Sequence, residues 1–172
     1  MTFAFKRGWG AYGKPLAEIT NDWIPRMMTP NDPPIKEFRP GLHCVAISND
    51  GLVYICDRAG NRVQVFSKDG KFQKELIIAP ETIGIGSAQS VAFSPDAKQS
   101  YLFITDTAKQ TVWIVDRQTG KVAGNFGGRS YNGGDFGNIH FATADSKGNV
   151  YTGEIEPSKR VQKFSPVTPW AR

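Results

Sequence analysis

The chain has 172 residues, of which 40% are hydrophobic and 22% are charged. This is enough for one hydrophobic core, and it excludes a disordered tail and a coiled coil. The net charge of +5 permits an acidic partner without requiring one. No stretch approaches the ~18 consecutive apolar residues of a membrane span, and no apolar run follows the first charged residues, so the sequence predicts neither a membrane segment nor a signal peptide. The 18 glycines and 11 prolines favour short elements joined by tight turns.

The first part of the chain contains one strand-like segment and one long loop. Residues 2–9 alternate as a strand does, and Gly10 follows them. Residues 13–41 are rich in proline, which cannot donate to a strand ladder and restricts the residue before it. The prolines are Pro15, Pro25, Pro30, Pro33, Pro34 and Pro40. We expect a long ordered loop with Trp23 and Phe38 as anchors, which either covers one end of the domain or is an insertion without a role.

A repeat with a period of 49 residues fills the remainder of the chain, and it is marked by Val63, Val112 and Val161. Each unit consists of short segments rich in Val, Ile, Tyr and Phe, which are typical of strands. Asp50-Gly51 supplies the positive φ that a tight hairpin requires. A period in this range with several strands per unit predicts the blades of an all-β propeller.

The predicted blades are unequal. Residues 43–77 and 89–127 each contain four strands, whereas residues 140–165 contain three. Three blades do not close into a ring, because natural propellers have at least about four. In a two-fold homodimer, residues 2–9 of each copy would form the outer strand of the other copy's last blade, which gives six blades and removes exposed edges. Alternatively, the chain is half of a longer six-bladed propeller.

The segment Asp57–Phe66 closely resembles the most conserved segment of the NHL-repeat β-propeller family. The segment Glu154–Phe164 is a looser copy that keeps Arg-Val-Gln, and Asp106–Val115 is looser still. The resemblance covers residues 41–165. It implies a single domain of four-stranded NHL blades and a binding module for a small molecule, a peptide or a protein.

Within that family, the chain is most similar to bacterial proteins related to the peptidyl-α-hydroxyglycine amidating lyase, a six-bladed propeller whose channel holds zinc on histidines at the start of first strands. His43 and His140 stand at two such positions, and Gln89 occupies the matching place in the blade between them. Arg58 matches an arginine that helps to bind the substrate carboxylate in the lyase. The resemblance therefore implies that His43 and His140 bind zinc, with calcium as another possible ion, and that Arg58 binds a carboxylate.

The sequence also departs from the lyase. Its Pro-His pairs read Leu42-His43 and Ile139-His140 here, and the acidic residue after its last zinc histidine reads Phe141. One chain supplies two histidines, whereas a catalytic zinc needs about three protein ligands. The leading hypothesis is therefore a propeller that binds a small molecule, a peptide or a protein, and the alternative is a zinc-dependent amidating lyase. Nucleic-acid binding is not favoured, because Lys and Arg form no dense cluster with aromatic residues, and an extracytoplasmic location is expected only if a longer parent protein is exported.

Two further sets of residues allow structural predictions. Cys44 faces Cys56 if residues 49–51 form a three-residue loop, and the pair is then either a disulfide or two buried thiols. An acidic residue recurs at the end of each second strand: Asp57, Asp106 and Glu154. We expect each to cap the following turn through backbone amides rather than to act in catalysis.

Overall fold

The computed structural model describes residues 1–20, 22–25 and 35–168, and all the longer elements in these ranges are β-strands. The helical pieces there are three short 3-10 turns: Ala11–Gly13, Leu16–Glu18 and Arg58–Gly60. Among the described residues, no helix is long and apolar enough to cross a membrane. The predicted all-β class is confirmed.

The described strands form three antiparallel sheets, which we call blades 1, 2 and 3. Blade 1 has the order β1-β2-β3-β4, with β1 (Leu42–Ile47), β2 (Val53–Asp57), β3 (Arg62–Phe66) and β4 (Phe72–Ile77). Blade 2 has the order β5-β6-β7-β8, with β5 (Ser90–Phe93), β6 (Tyr101–Asp106), β7 (Thr111–Asp116) and β8 (Val122–Phe126). Blade 3 has the order β11-β10-β9, with β9 (Ile139–Ala144), β10 (Val150–Glu154) and β11 (Val161–Phe164). The bounds of each sheet differ from the predicted spans by at most one residue at either end.

The hydrophobic core lies between neighbouring blades. Alternate residues of a strand point to opposite faces of its sheet, so Tyr54 of β2 faces blade 2, whereas Val53 and Ile55 face the other way. Blades 1 and 2 bury Tyr54, Val63, Val65, Leu102, Ile104 and Val115 between them. Blades 2 and 3 bury Phe103, Val112, Phe136, Ile139 and Val150. Each blade is thus stabilised mainly by its neighbours, which is how repeat folds build a continuous core.

The turn between β1 and β2 is a three-residue loop. The Ser48 amide donates to the Leu52 carbonyl over 3.0 Å, and Gly51 has a φ of +81°. This loop sets the register that places Cys44 opposite Cys56. Of the two alternatives for this pair, the structure contains the disulfide, with the Cα atoms 4.8 Å apart.

The N-terminal segment forms no strand within this chain. Residues 1–8 have no strand pairing, and the side chains of Phe3 and Phe5 are exposed. Trp9 instead makes an isolated bridge to Pro15 and packs on Phe66. Because the predicted role of residues 2–9 involves a second copy of the chain, it stays a prediction.

The proline-rich segment has one of its two predicted anchors. The ring of Phe38 lies 6.5 Å from that of Phe66, on the face of blade 1 that points away from blade 2. Trp23 is 82% exposed, so its prediction as an anchor is wrong, because no described side chain packs over it as Phe66 does over Phe38. Residues 21 and 26–34, which include three of the prolines, lie outside the described residues.

Both ends of the blade array expose apolar side chains. On blade 1, Trp9, Phe38 and Phe72 cover part of the outer face, but Val45 and Ile47 remain 72% and 58% exposed. On blade 3, the large exposed apolar side chains are Phe141 and Val161. Large exposed apolar patches mark surfaces that bind another protein surface.

Candidate functional site

His43 and His140 are each the extra residue of a β-bulge. In blade 1, Leu42 pairs with Asp57 and Cys44 pairs with Cys56, so His43 has no partner on β2. A bulge re-aims the side chain of its extra residue, and bulges are frequent beside active sites.

Blade 3 repeats this arrangement. Ile139 pairs with Glu154 and Phe141 pairs with Gly153, which leaves His140 as the extra residue on β9. In blade 2, β5 begins at Ser90, directly after Gln89, and the Gln89 amide donates to the Thr105 carbonyl over 3.0 Å. The two histidines therefore share a backbone feature, a bulge at the start of the first strand.

The three residues singled out by the sequence lie together. The rings of His43 and His140 stand edge to face with their centroids 4.8 Å apart. An Nη1 atom of Arg58 lies 3.3 Å from Nε2 of His43. Arg58 begins the 3-10 turn after β2, and its guanidinium lies against Gly41, where a Cβ atom would come within 3.0 Å of Nη2. Residues from two blades that are 97 positions apart in the sequence thus form one cluster.

Electrostatics keep both imidazoles neutral near pH 7. Burial lowers the pKa of His43 to about 4, and the neighbouring Arg58 and His140 add to the effect. Burial and then Arg58 also lower the pKa of His140. Because a guanidinium can only donate hydrogen bonds, Nε2 of His43 must accept from Arg58, and the proton of the neutral ring is on Nδ1. The positive charge of the cluster therefore resides on Arg58.

This arrangement does not by itself fit a zinc ion. A catalytic zinc needs about three protein ligands, and no group of three or more His, Cys, Asp or Glu residues in the described part of the chain could hold a metal. The lone pair on Nε2 of His43 is already engaged by Arg58. Calcium prefers about 6–8 oxygen ligands, so two imidazoles suit it less. A zinc site would require Arg58 to turn away from His43 and a further ligand from outside the described residues.

Gln89 occupies the position in blade 2 that the histidines occupy in blades 1 and 3. It is fully buried, and the hydroxyl of Thr107 lies 2.6 Å from its Oε1 atom and 2.6 Å from the carbonyl oxygen of Ile139. The side chain of Gln110 also holds the Ile139 amide over 2.9 Å. Blade 2 therefore supports the strand that carries His140.

The three recurring acidic residues differ in what they hold. Asp106 accepts from the amide of Lys109 over 2.8 Å and so caps its own turn as predicted. Asp57 does not cap the following turn: its Oδ1 accepts from the amide of Arg39, in the segment that leads into β1. Glu154 likewise accepts from the amide of Gly137, ahead of β9. The prediction is wrong for these two, because each carboxylate binds an arginine and a backbone amide of the segment before the first strand.

Two arginines, the buried Arg62 and the partly exposed Arg160, complete these contacts. Nε of Arg62 donates to Asp57 over 2.7 Å, and its Nη2 donates to the Glu37 carbonyl over 2.6 Å. In blade 3, Nε of Arg160 donates to Glu154 over 2.6 Å. Burial opposes the ionisation of Glu154, but its hydrogen bonds from Arg160 and from backbone amides outweigh this and lower its pKa to about 2.

The carboxylate–arginine pairs were not among the predicted site residues. The sequence nevertheless contains a signal for these pairs. Each histidine lies 14 residues before the carboxylate at its bulge, and an arginine follows that carboxylate at or directly before the third strand.

The comparisons with known proteins support the repeat and the fold. Residues 41–66 match the NHL repeat family, which identifies one repeat that includes β1 to β3. No protein of curated function matches the sequence. The matches do not bear on the narrower resemblance to amidating lyases.

Solved structures show the same fold at low identity. Hydrazine synthase from Kuenenia stuttgartiensis is 18% identical with a TM-score of 0.52, over 68% of this chain and 30% of its own. A streptogramin B lyase is 14% identical with a TM-score of 0.50, over 79% and 44%. A virginiamycin B lyase from Staphylococcus aureus is 16% identical with a TM-score of 0.48, over 78% and 46%. The chain spans less than half the length of each of these structures.

Proposed function

We propose that this chain belongs to a β-propeller binding module and that it binds the carboxylate of a small molecule or peptide at the cluster of Arg58, His43 and His140. The observation that carries the proposal is the meeting of the three side chains, with the imidazole centroids 4.8 Å apart and Arg58 3.3 Å from His43. Propeller folds host many unrelated tasks, so the proposal rests on this cluster and not on the fold.

The chemistry of the cluster favours an anion. Arg58 is the only one of the three side chains that is charged at neutral pH, because the pKa values of both histidines are lowered. The contact with His43 fixes the guanidinium in one orientation, and a guanidinium in a fixed orientation binds a carboxylate through two parallel hydrogen bonds. His43 thus acts as a support for Arg58, and His140 packs edge to face on His43.

N-acetylglycine, a small mimic of a peptide C-terminus, tests this proposal. We expect it to shift the ring signals of His43 and His140 in a 1H–13C spectrum of the full chain and to bind about tenfold or more weakly to the variant Arg58→Gln. Arg129→Gln is the matched control, because it removes the same charge from an exposed side chain. Equal affinity of the Arg58→Gln variant and the unchanged protein would overturn the proposal.

The zinc-dependent amidating lyase remains the second candidate, and the observation in its favour is the close approach of the two imidazoles. Such a lyase breaks the carbon–nitrogen bond of a peptide α-hydroxyglycine and yields the peptide amide and glyoxylate. We expect this function only if the purified chain retains zinc and His43→Ala releases it. Glyoxylate formation that persists in His43→Ala, or no retained zinc, would eliminate this candidate.

The predicted homodimer would cover the exposed apolar side chains at both ends of the blade array. Native mass spectrometry would show a species of about twice 19.0 kDa if residues 2–9 exchange between copies. Replacing Phe3 and Phe5 with aspartate should then restore the monomer, since these are the large exposed apolar side chains of the exchanged segment. A monomer before the substitution would contradict the exchange.

A further inference from the structure

We propose that two carboxylate–arginine pairs, Asp57 with Arg62 and Glu154 with Arg160, are positioning elements that hold the β-bulges of His43 and His140. This inference deepens the proposed function, since it concerns the same cluster. It states that the site histidines owe their orientation to buried charges that touch neither the imidazoles nor a ligand.

The geometry in blade 1 shows how the first pair acts. Asp57 is the residue of β2 at which the register shifts, directly before the unpaired His43. One oxygen of Asp57 accepts from the Arg39 amide over 3.1 Å and the other accepts from Arg62 over 2.7 Å. Arg62, whose side chain is 4% exposed, donates in turn to the carbonyls of Ile35 and Glu37. The segment before β1 is therefore held both by an amide, at Arg39, and by two carbonyls, at Ile35 and Glu37.

Blade 3 builds the same device from a different sequence. Glu154 is the residue of β10 at the register shift next to His140. Its Oε2 atom accepts from the amides of Gly137 over 2.8 Å and Asn138 over 3.3 Å. Arg160 donates to Glu154 and also to the carbonyl of Asp135 over 2.8 Å. The amides held by Glu154 lie two and three residues before His140.

Blade 2 provides the contrast. Asp106 occupies the same repeat position but binds the amide of Lys109 in its own turn and the indole of Trp113. Thr111 stands where the other blades have arginine. The carboxylate–arginine pair and the histidine therefore occur together in two blades, and both are missing from the third described blade.

The physical reason is the register of a strand. Side chains alternate between faces, so a slip of one residue moves every side chain to the opposite face. A bulge is a slip of one residue that is confined to one place in the strand. The side chain of His43 or His140 reaches the cluster only while the bulge stays at that residue. A buried carboxylate that binds a backbone amide of the segment entering the strand, and that is itself held by an arginine, prevents the extra residue from migrating along the strand.

The test compares two variants that each neutralise one carboxylate of blade 3. Glu154→Gln removes the proposed positioning group. Asp145→Asn removes a carboxylate at the other end of β9, where Asp145 holds the hairpin through the amides of Lys147 and Asn149. In Glu154→Gln we expect the ring signals of His140 to move and the affinity for N-acetylglycine to fall about tenfold. In Asp145→Asn neither should change.

Three results would overturn the inference: unchanged His140 signals in a folded Glu154→Gln variant, an equal displacement in Asp145→Asn, or unchanged signals in Arg160→Lys. If Glu154→Gln does not fold, Arg160→Lys provides the test. It keeps the positive charge but loses the hydrogen bond to the carbonyl of Asp135. We therefore expect a smaller shift of the His140 ring signals. If the unchanged protein does not bind N-acetylglycine, the proposed function fails, whereas the ring signals still decide the positioning role.

Discussion

Blades 1 and 3 each carry a histidine on a β-bulge, whereas blade 2 carries the buried Gln89 directly before β5. Blades 1 and 2 have four strands and blade 3 has three, and in all of them consecutive strands pair as antiparallel hairpins. Blade 2 differs from the other two in having Gln89 in place of a histidine and Asp106 with Thr111 in place of a carboxylate–arginine pair. The proposed site therefore depends on a few local differences between repeats of the same fold.

A second contrast lies one position further along the first strand. There blade 1 has the disulfide between Cys44 and Cys56, and blade 2 has a hydrogen bond of 2.9 Å between the hydroxyls of Ser90 and Thr105. In blade 3, Phe141 pairs with Gly153 at this position. The same cross-strand position is therefore secured by a covalent bond, by a polar contact, or by neither.

The largest expected effect is a loss of unfolding free energy that distinguishes Asp57, which pairs with an arginine, from Asp106, which caps its own turn. Asp57→Ala removes the nearest carboxylate of the buried Arg62 and leaves Glu75, 3.5 Å from the same guanidinium, as its remaining carboxylate partner, which costs about 3 kcal/mol. Asp106→Ala removes two hydrogen bonds and no ion pair, which costs about 1–3 kcal/mol. Urea unfolding of both variants measures the difference. Equal losses would show that the ion pair of blade 1 is no more important than the cap of blade 2.

The disulfide comes next. Its cysteines are 12 residues apart, and closing a loop of this length in the unfolded chain is worth about 3 kcal/mol. The double variant Cys44→Ser and Cys56→Ser should lose this amount of unfolding free energy, whereas Ser90→Ala should lose about 1 kcal/mol. As a control, a reducing agent should destabilise the unchanged protein and have no effect on the double variant. A reducing agent without effect on the unchanged protein would contradict the prediction.

The smallest expected effect is the dependence of the unfolding free energy on pH, which has opposite signs for Glu154 of blade 3 and Asp106 of blade 2. The pKa of Glu154 is about 2 in the folded protein and near 4.5 when unfolded, so its contribution is complete above about pH 4.5 and is lost as the pH falls towards 2. Of that contribution, about 2 kcal/mol is lost between pH 7 and pH 3. Burial raises the pKa of Asp106, so the folded state binds the extra proton and acidification favours folding there.

Urea unfolding at pH 7 and pH 3 compares the two residues. Between these values, Glu154→Gln should lose less stability than the unchanged protein, and Asp106→Asn should lose more. Identical losses in all three proteins would mean that neither carboxylate has a shifted pKa.

Much of the architecture could be predicted because it depends on local patterns. The period of the valines predicts the blades, and the position of Gly51 in its turn sets the register that brings Cys44 to Cys56. His43 and His140 could be paired because they stand at the same place in the repeat. Whether the cysteines were bonded stayed open, since the same register also suits two buried thiols.

The sequence by itself determined the all-β class, the three sets of strands and the repeat position of the two histidines, because alternation and turn chemistry act over a few residues. The tertiary structure decided which polar groups meet. Asp57 binds the amide of Arg39 and the side chain of Arg62, and Trp23 is exposed. These outcomes depend on contacts between segments that are distant in the chain. The bulges belong to the same class, since an extra residue is defined only by the strand that pairs beside it.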